Sequence, residues 1–190
     1  MYSHQGKRLL DVAVALLLAL PACLICLVCA VAIRLEGSGP AIFRQQRVGR
    51  DRRIFVLYKL RTMSSGTANR ASHEVSPAQI TRVGHVLRRT KLDELPQILN
   101  VLRGDMSFVG PRPCLPDQVE LVEERQRRGV HALRPGVTGL AQLSGLNMST
   151  PVALAEADAA YLQRGGLSCD LKIMALTALG RGRGDAVASA

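Results

Sequence analysis

The chain has 190 residues, room for one ordinary domain and an anchoring segment. Its 25 Lys and Arg against 15 Asp and Glu give a formal charge of +10, which favours polyanions: nucleic acid, anionic lipid headgroups or phosphorylated substrates. With three Tyr, three Phe and no Trp it lacks the stacking platforms used on single-stranded nucleic acid, and five cysteines, an odd number, do not make a disulfide framework.

From Val12 to Ile33 no residue is charged. As a helix this stretch would run about 33 Å, enough for a hydrocarbon core of about 30 Å. Lys7 and Arg8 before it, with Ala30-Val31-Ala32 inside it, also resemble a cleaved signal, but the apolar run is longer than the usual 7–15 residues of one. Basic residues flank it at both ends, with Arg34, Arg44 and Arg47 following, so the positive-inside tendency holds both ends on the cytoplasmic side. Pro21 removes a backbone donor near the middle, and a kinked helix that enters and leaves by one face satisfies both observations; a plain span stays open. Cys23, Cys26 and Cys29 have metal-like spacing but an apolar context, and read as small buried hydrophobes.

After the turn-rich Gly37-Ser38-Gly39-Pro40, residues 41–46 and 54–59 read as strands of a hairpin about Gly49-Arg50-Asp51. Residues 64–76, with His73, read as a loop, and 80–89 has helical spacing. Residues 95–102 look helical, 106–116 is broken by three prolines, and helices are expected over 117–128, 152–163 and 171–179. The fold class is α/β, mostly α with a small β-hairpin, divided into a membrane helix (1–36) and a second domain (37–190). His4, His73, His85 and His131 have neither metal nor triad spacing and are assigned structural or surface roles.

Thr90-Lys91-Leu92-Asp93-Glu94-Leu95-Pro96-Gln97 is the richest stretch. Proline is tolerated in a first helical turn, so the helix is predicted to begin near Asp93, with Asp93 at the N-cap. Two readings stand side by side. Acidic residues at a helix start offset its macrodipole, worth about 0.3–1 kcal/mol. Alternatively, two carboxylates among Arg88, Arg89, Lys91, Arg103 and Arg112 divide attack on phosphorus and Mg²⁺ binding between them. In Gly110-Pro111-Arg112-Pro113 the prolines stiffen the backbone about a guanidinium suited to phosphate; an incidental surface Arg is the other reading.

The run Lys91-Leu92-Asp93-Glu94-Leu95-Pro96-Gln97, followed by Asn100-Val101-Leu102-Arg103-Gly104-Asp105-Met106-Ser107-Phe108-Val109-Gly110-Pro111-Arg112-Pro113, resembles the bacterial sugar transferase family of monotopic phosphoglycosyl transferases. Lys7-Arg8-x-x-Asp11, Tyr58-Lys59-Leu60-Arg61-Thr62-Met63, Arg134-Pro135-Gly136-Val137-Thr138-Gly139-Leu140-Ala141-Gln142 and Asp170-Leu171-Lys172-Ile173 extend the match over nearly the whole chain. The resemblance implies a re-entrant membrane helix on a compact interfacial domain with amphipathic helices. It implies transfer of a sugar 1-phosphate from a UDP-sugar to a polyprenol phosphate (undecaprenyl phosphate), releasing UMP, in a ping-pong cycle. Asp93 would be the nucleophile and Glu94 the Mg²⁺ ligand; Lys59, Arg61, Arg88, Arg112, Thr138 and Gln142 would bind substrate. Membrane lipid is the further partner, nucleic acid is not one, and a homodimer is left open. The expected location is the bacterial inner membrane, with the active site on its cytoplasmic face.

The chain departs from the family pattern at Leu146, where many relatives carry Arg, and at Leu167-Ser168-Cys169, where aromatics are common. A membrane-anchored basic binding protein and an inactive relative are the rival readings; the charge alone suits the first equally well.

Overall fold

A computed structural model describes residues 4–64 and 79–182. The architecture is mostly helical, in the order α1 (His4–Glu36), β1 (Ile42–Val48), β2 (Ile54–Leu60), α2 (Arg82–Thr90), α3 (Gln97–Arg103), β3 (Ser107–Val109), α4 (Val119–Arg127), β4 (Gly136–Thr138), α5 (Leu140–Leu143), α6 (Pro151–Arg164) and α7 (Leu167–Ala178). β1 and β2 form the expected antiparallel hairpin, with Phe43 opposite Lys59. The loop expected over 64–76, with His73, lies outside the described residues apart from Ser64.

Helix α1 remains helical through Pro21. Its apolar stretch is long enough to cross a membrane, and only 17% of its most hydrophobic window is buried. A core helix of a soluble protein would be covered on most sides; here Leu16, Leu17, Leu20, Leu24, Leu27 and Val28 face outward. One narrow face is covered. Asp11, Ala15, Ala22 and Ile33 are buried, and the two alanines join Leu57, Ile98, Val101 and Met106 in one cluster. Small side chains let the backbones of α1 and α3 approach closely.

Polar contacts fix the N-terminal part of α1. Lys7 Nζ donates to Asp170 Oδ2 at 2.6 Å and to the Tyr161 hydroxyl at 3.1 Å. Tyr161 donates in turn to Asp170 Oδ1 at 2.5 Å, and burial holds its hydroxyl well above the ordinary 10.0, so it stays a donor. Asp11 accepts from Ser107 Oγ and from the Phe108 amide, each at 3.0 Å, which ties α1 to β3.

At its other end α1 meets α2 and β2 through reciprocal caps. Glu36 accepts from the Arg82 and Val83 amides at 2.6 and 3.0 Å, while Thr81 Oγ1 accepts from the Gly84 amide. The unsatisfied donors of the α2 N-terminus are thereby met. Arg61, just after β2, donates to the Ile33 carbonyl in the last turn of α1 and to the Gly37 and Ser38 carbonyls beyond it.

Three expectations are corrected. The helix predicted to start near Asp93 starts at Gln97, with Pro96 as N-cap, and the Asp-Glu pair lies in a separate 3-10 turn, Leu92–Glu94. Lys91 causes the offset: its left-handed backbone (φ 58°, ψ 16°) ends α2 and restarts the chain in a tighter turn. The proline-broken stretch 106–116 contains β3, which pairs in parallel with β4, Ser107 beside Gly136 and Val109 beside Thr138. Strands of three residues are too short to show a period. Helix α7 begins at Leu167, a turn earlier than expected, with Asp170 in its first turn.

His85 is exposed. His131 is buried beside the Val122 carbonyl, 3.1 Å from Nε2, which fits its structural assignment. Burial lowers its pKa below the ordinary 6.5. The unfolded chain therefore binds a proton that the folded chain resists. Its stabilisation is full above about pH 6.5 and declines as the pH falls through that value. Thermal melts from pH 8 to pH 5 should show that decline, and His131→Gln should flatten it.

A Cβ on Gly84 would lie 2.1 Å from the Thr62 carbonyl oxygen, so α2 can approach the backbone just beyond β2 only through a glycine. Gly84→Ala should destabilise by about 1–3 kcal/mol, the usual cost of overpacking, read as a Tm several degrees lower.

Candidate active site

Asp93 and Glu94 are 5% and 9% exposed, unusual for adjacent carboxylates. Cations offset the burial. Glu94 Oε1 receives Arg112 Nη2 at 2.8 Å and Lys59 Nζ at 3.4 Å. Lys59 comes from β2, Arg112 from the proline-flanked segment after β3, and the carboxylates from the turn before α3. The macrodipole reading of the acidic pair therefore gives way to a buried charge cluster assembled from three separate segments.

Buried polar side chains set each of these segments. Asn100, fully buried on α3, accepts from the Tyr58 amide at 3.2 Å and donates to the Val56 carbonyl at 2.7 Å, holding β2 on both sides of Leu57. Arg125 on α4 donates to the Arg112 carbonyl at 2.9 Å, and Arg47 on β1 donates to the Pro113 carbonyl at 3.0 Å. Arg125 is itself fixed by Asp158 on α6 through Nε at 3.0 Å and Nη2 at 2.7 Å. Burial raises the pKa of Asp158 and Arg125 opposes the rise.

Two recesses lie beside the cluster. A crevice about large enough for one water is lined by Arg47, Lys59, Gln97 and Arg112, a cationic wall. A larger, mostly apolar cavity of about 150 Å³ has Glu94, Lys91, Thr138, Gln142 and Thr177 among its lining, with Leu18 of α1 on one wall.

Of the residues singled out in the sequence, Asp93, Glu94, Lys59 and Arg112 come together at the cluster, and Thr138 and Gln142 reach it through the cavity. Arg88 stands on α2, its Nε donating to Thr62 Oγ1 at 2.9 Å. Its buried Nη1 has no acceptor among the described residues. Arg61 is directed elsewhere, to the end of α1, a capping position.

A family model described as bacterial sugar transferase matches residues 2–181. The chain belongs to the bacterial sugar transferase family. This sugar transferase is 39% identical, over 90% of its length, to a Bacillus subtilis protein named "Uncharacterized sugar transferase EpsL", of which the match covers 84%. It is 45% identical, again over 90% of its length, to a "UDP-glucose:undecaprenyl-phosphate glucose-1-phosphate transferase" of Caulobacter vibrioides, covering 67% of that protein. A protein of the same name from Escherichia coli is 37% identical over 90% of this chain, but the match spans only 39% of its length.

The two departures from the family pattern have structural uses in this transferase. Leu146 packs against the core formed by Val48, Cys114, Leu121 and Leu154, and Cys169 packs beside Val109, Tyr161 and Ile173. Sequence reasoning missed Arg47 and Arg125, which look like any of the other arginines until their buried partners are known. Asn100 stood within a quoted motif without a role.

Arg125→Met should strand the Asp158 charge and destabilise by about 3–5 kcal/mol. Adding Asp158→Leu should restore the Tm, because the unpaired charge is gone. Sugar-phosphate transfer should stay depressed in the double variant, since the Arg112 carbonyl has lost its donor. Melts and sugar-phosphate transfer assays on the same preparations separate the two effects.

Proposed function

We propose that the chain moves a sugar 1-phosphate from a UDP-sugar to a polyprenol phosphate, releasing UMP, through a covalent phosphosugar intermediate on Asp93. The observation that carries the reading is the buried Asp93-Glu94 pair with Lys59 and Arg112 on the Glu94 carboxylate. The names of the Caulobacter and Escherichia relatives, with glucose as the sugar and undecaprenyl phosphate as the acceptor, support the reaction class.

In this reading an Asp93 oxygen attacks the phosphorus that bears the sugar. The bond from that phosphorus to the bridging oxygen breaks, and UMP departs with the electron pair. A polyprenol phosphate oxygen then attacks the same phosphorus, giving a polyprenyl diphosphosugar and the free Asp93 carboxylate. A carboxylate approaching a diphosphate meets like charge, and Lys59 and Arg112 are placed to lower that repulsion. Among the described residues Nη1 of Arg88 has no acceptor, and a phosphate oxygen would supply one.

Among the described residues no group of three or more His, Cys, Asp or Glu could hold a metal by itself. Mg²⁺ does not need such a group, because it commonly takes one or two carboxylates with substrate phosphates and waters. The donor set therefore fits: Glu94 would hold Mg²⁺ together with the diphosphate, whose charge offsets the cations already at Glu94. The bound ion would supply charge neutralisation on the departing phosphate.

Helix α1 suits a lipid acceptor, since its outward leucines need a hydrocarbon environment. We place it as a re-entrant element with both ends on the cytoplasmic side, from its two-sided basic flanks and Pro21. The rival, a basic binding surface, is less well supported: Lys59 and Arg112 are withdrawn onto a buried carboxylate, not displayed to solvent.

In detergent with Mg²⁺ and a panel of UDP-sugars, the wild type should form an Asp93 phosphosugar adduct by intact mass and release UMP. Asp93→Asn should form none; full activity in that variant would refute the mechanism. Chelation by EDTA should stop UMP release and added Mg²⁺ restore it, while Lys59→Ala should slow release by about 10²–10³-fold, as for loss of one charge-stabilising donor.

A further inference from the structure

The cavity of about 150 Å³ beside Glu94 has an unusual hydrogen-bonding polarity. Gln142, on α5, is 6% exposed. Its Nε2 donates to the Val137 carbonyl at 3.2 Å, and since a carbonyl can only accept, this orients the amide. Its Oε1 is buried with no donor among the described residues. Such an atom costs stability until something donates to it.

The neighbouring hydroxyls extend the pattern. Thr177 Oγ1 donates to the Ile173 carbonyl at 2.8 Å, which uses its only proton. The 2.7 Å contact between Thr138 Oγ1 and Thr177 Oγ1 must then take its proton from Thr138. Both hydroxyl protons point inward to protein. The cavity therefore offers acceptors: Gln142 Oε1 and the lone pairs of two threonines. The remaining walls are apolar (Leu95, Ile98, Phe108, Val137 and Leu18), apart from Glu94 and Lys91, whose ammonium donates to the Arg181 carbonyl at 3.0 Å.

An occupant must bring hydroxyl or amide donors and an apolar face, and it must be small. A cavity of about 150 Å³ holds a single six-membered ring such as benzene. A phosphate dianion would meet one cation, Lys91, but would set its acceptor oxygens against the Glu94 carboxylate, Gln142 Oε1 and the threonine lone pairs. A prenyl chain fits the walls but leaves Gln142 Oε1 unmet. A nucleoside is too large.

The geometry points to this cavity as the seat of the donor's sugar ring, with Gln142, Thr138 and Thr177 as the residues that select the sugar by accepting from its hydroxyl or amide groups. The assignment rests on the proposed transfer reaction and adds to it Thr177, which stands in none of the motifs read from the sequence, and a direction for every hydrogen bond. Glu94 lines the same cavity, so a ring seated there lies next to a carboxylate one residue from the proposed nucleophile.

The test uses the full chain in detergent, with UDP-hexoses and their single-deoxy analogues, and reads UMP release in the first half-reaction without lipid acceptor. In the wild type, deletion of one particular hydroxyl should lower kcat/KM by about 10- to 100-fold, because the buried acceptor is left unpaired. Gln142→Met keeps the bulk and removes the acceptor. It should bring the parent and that deoxy sugar within about threefold of each other, as the coupling between the two deletions vanishes.

Thr177→Val should alter discrimination at a hydroxyl in the same way, and Thr177→Ser should restore it. These α7 variants also cover the case in which Gln142→Met fails to fold. Discrimination unchanged in Gln142→Met and Thr177→Val, with wild-type transfer intact, overturns the sugar assignment and leaves the transferase reading standing. When polyprenol phosphate is then added to the same variants, a shift confined to its KM overturns the assignment in favour of a prenyl occupant. No UMP from any sugar in the wild type overturns the transferase reading itself, and this assignment with it.

Discussion

Two adjacent carboxylates withdrawn from water are the constraint on which the rest of this structure depends. Taking Asp93 and Glu94 to 5% and 9% exposure is costly unless cations follow them. Lys59 and Arg112 do follow, from segments far apart in the chain. A buried charge pair that loses one partner is more damaging than one that never formed, so the segments carrying these cations must be held closely. Asn100, Arg47 and Arg125 do this through backbone carbonyls and amides, which fix the strand and the Pro-Arg-Pro element from behind. The local sequence contributes stiffness; the buried polar side chains contribute position.

The same logic extends to the membrane helix. Its outward leucines have no partner in the protein, while its narrow inner face carries Ala15 and Ala22 against α3 and a buried Asp11 on β3. Lys7 reaches Asp170 on α7, and Glu36 at the far end caps α2, the helix that leads into the Asp-Glu turn. The two ends of one apolar helix thus grip the two sides of the site. Leu18, from its middle, is a wall of the cavity beside Glu94. A lipid-facing element that also lines the site suits chemistry in which one substrate is aqueous and the other is a lipid.

Much of this was legible beforehand. The uncharged run before Arg34, the hairpin about Gly49, and helices near 82–90, 119–127 and 151–164 follow from hydrophobic period and turn chemistry, which act over a few residues. The Asp-Glu pair, Lys59 and Arg112 were marked by motif. The turn that isolates the pair from α3 was not, because it depends on a left-handed lysine, and nothing local forecasts that conformation for a lysine. Arg61 sits in a motif and donates to carbonyls at the end of α1, a contact that no local pattern marks.

By itself, then, the sequence determined the hairpin, the longer helices and their order, and the long apolar helix, because propensity, charge and apolar period are properties of short windows. Only the tertiary structure decided which cations reach Glu94, that β3 and β4 pair in parallel, and that Thr177 comes within 2.7 Å of Thr138. Those contacts join residues tens of positions apart, and they form only where burial makes an unmatched charge or polar atom too costly to leave.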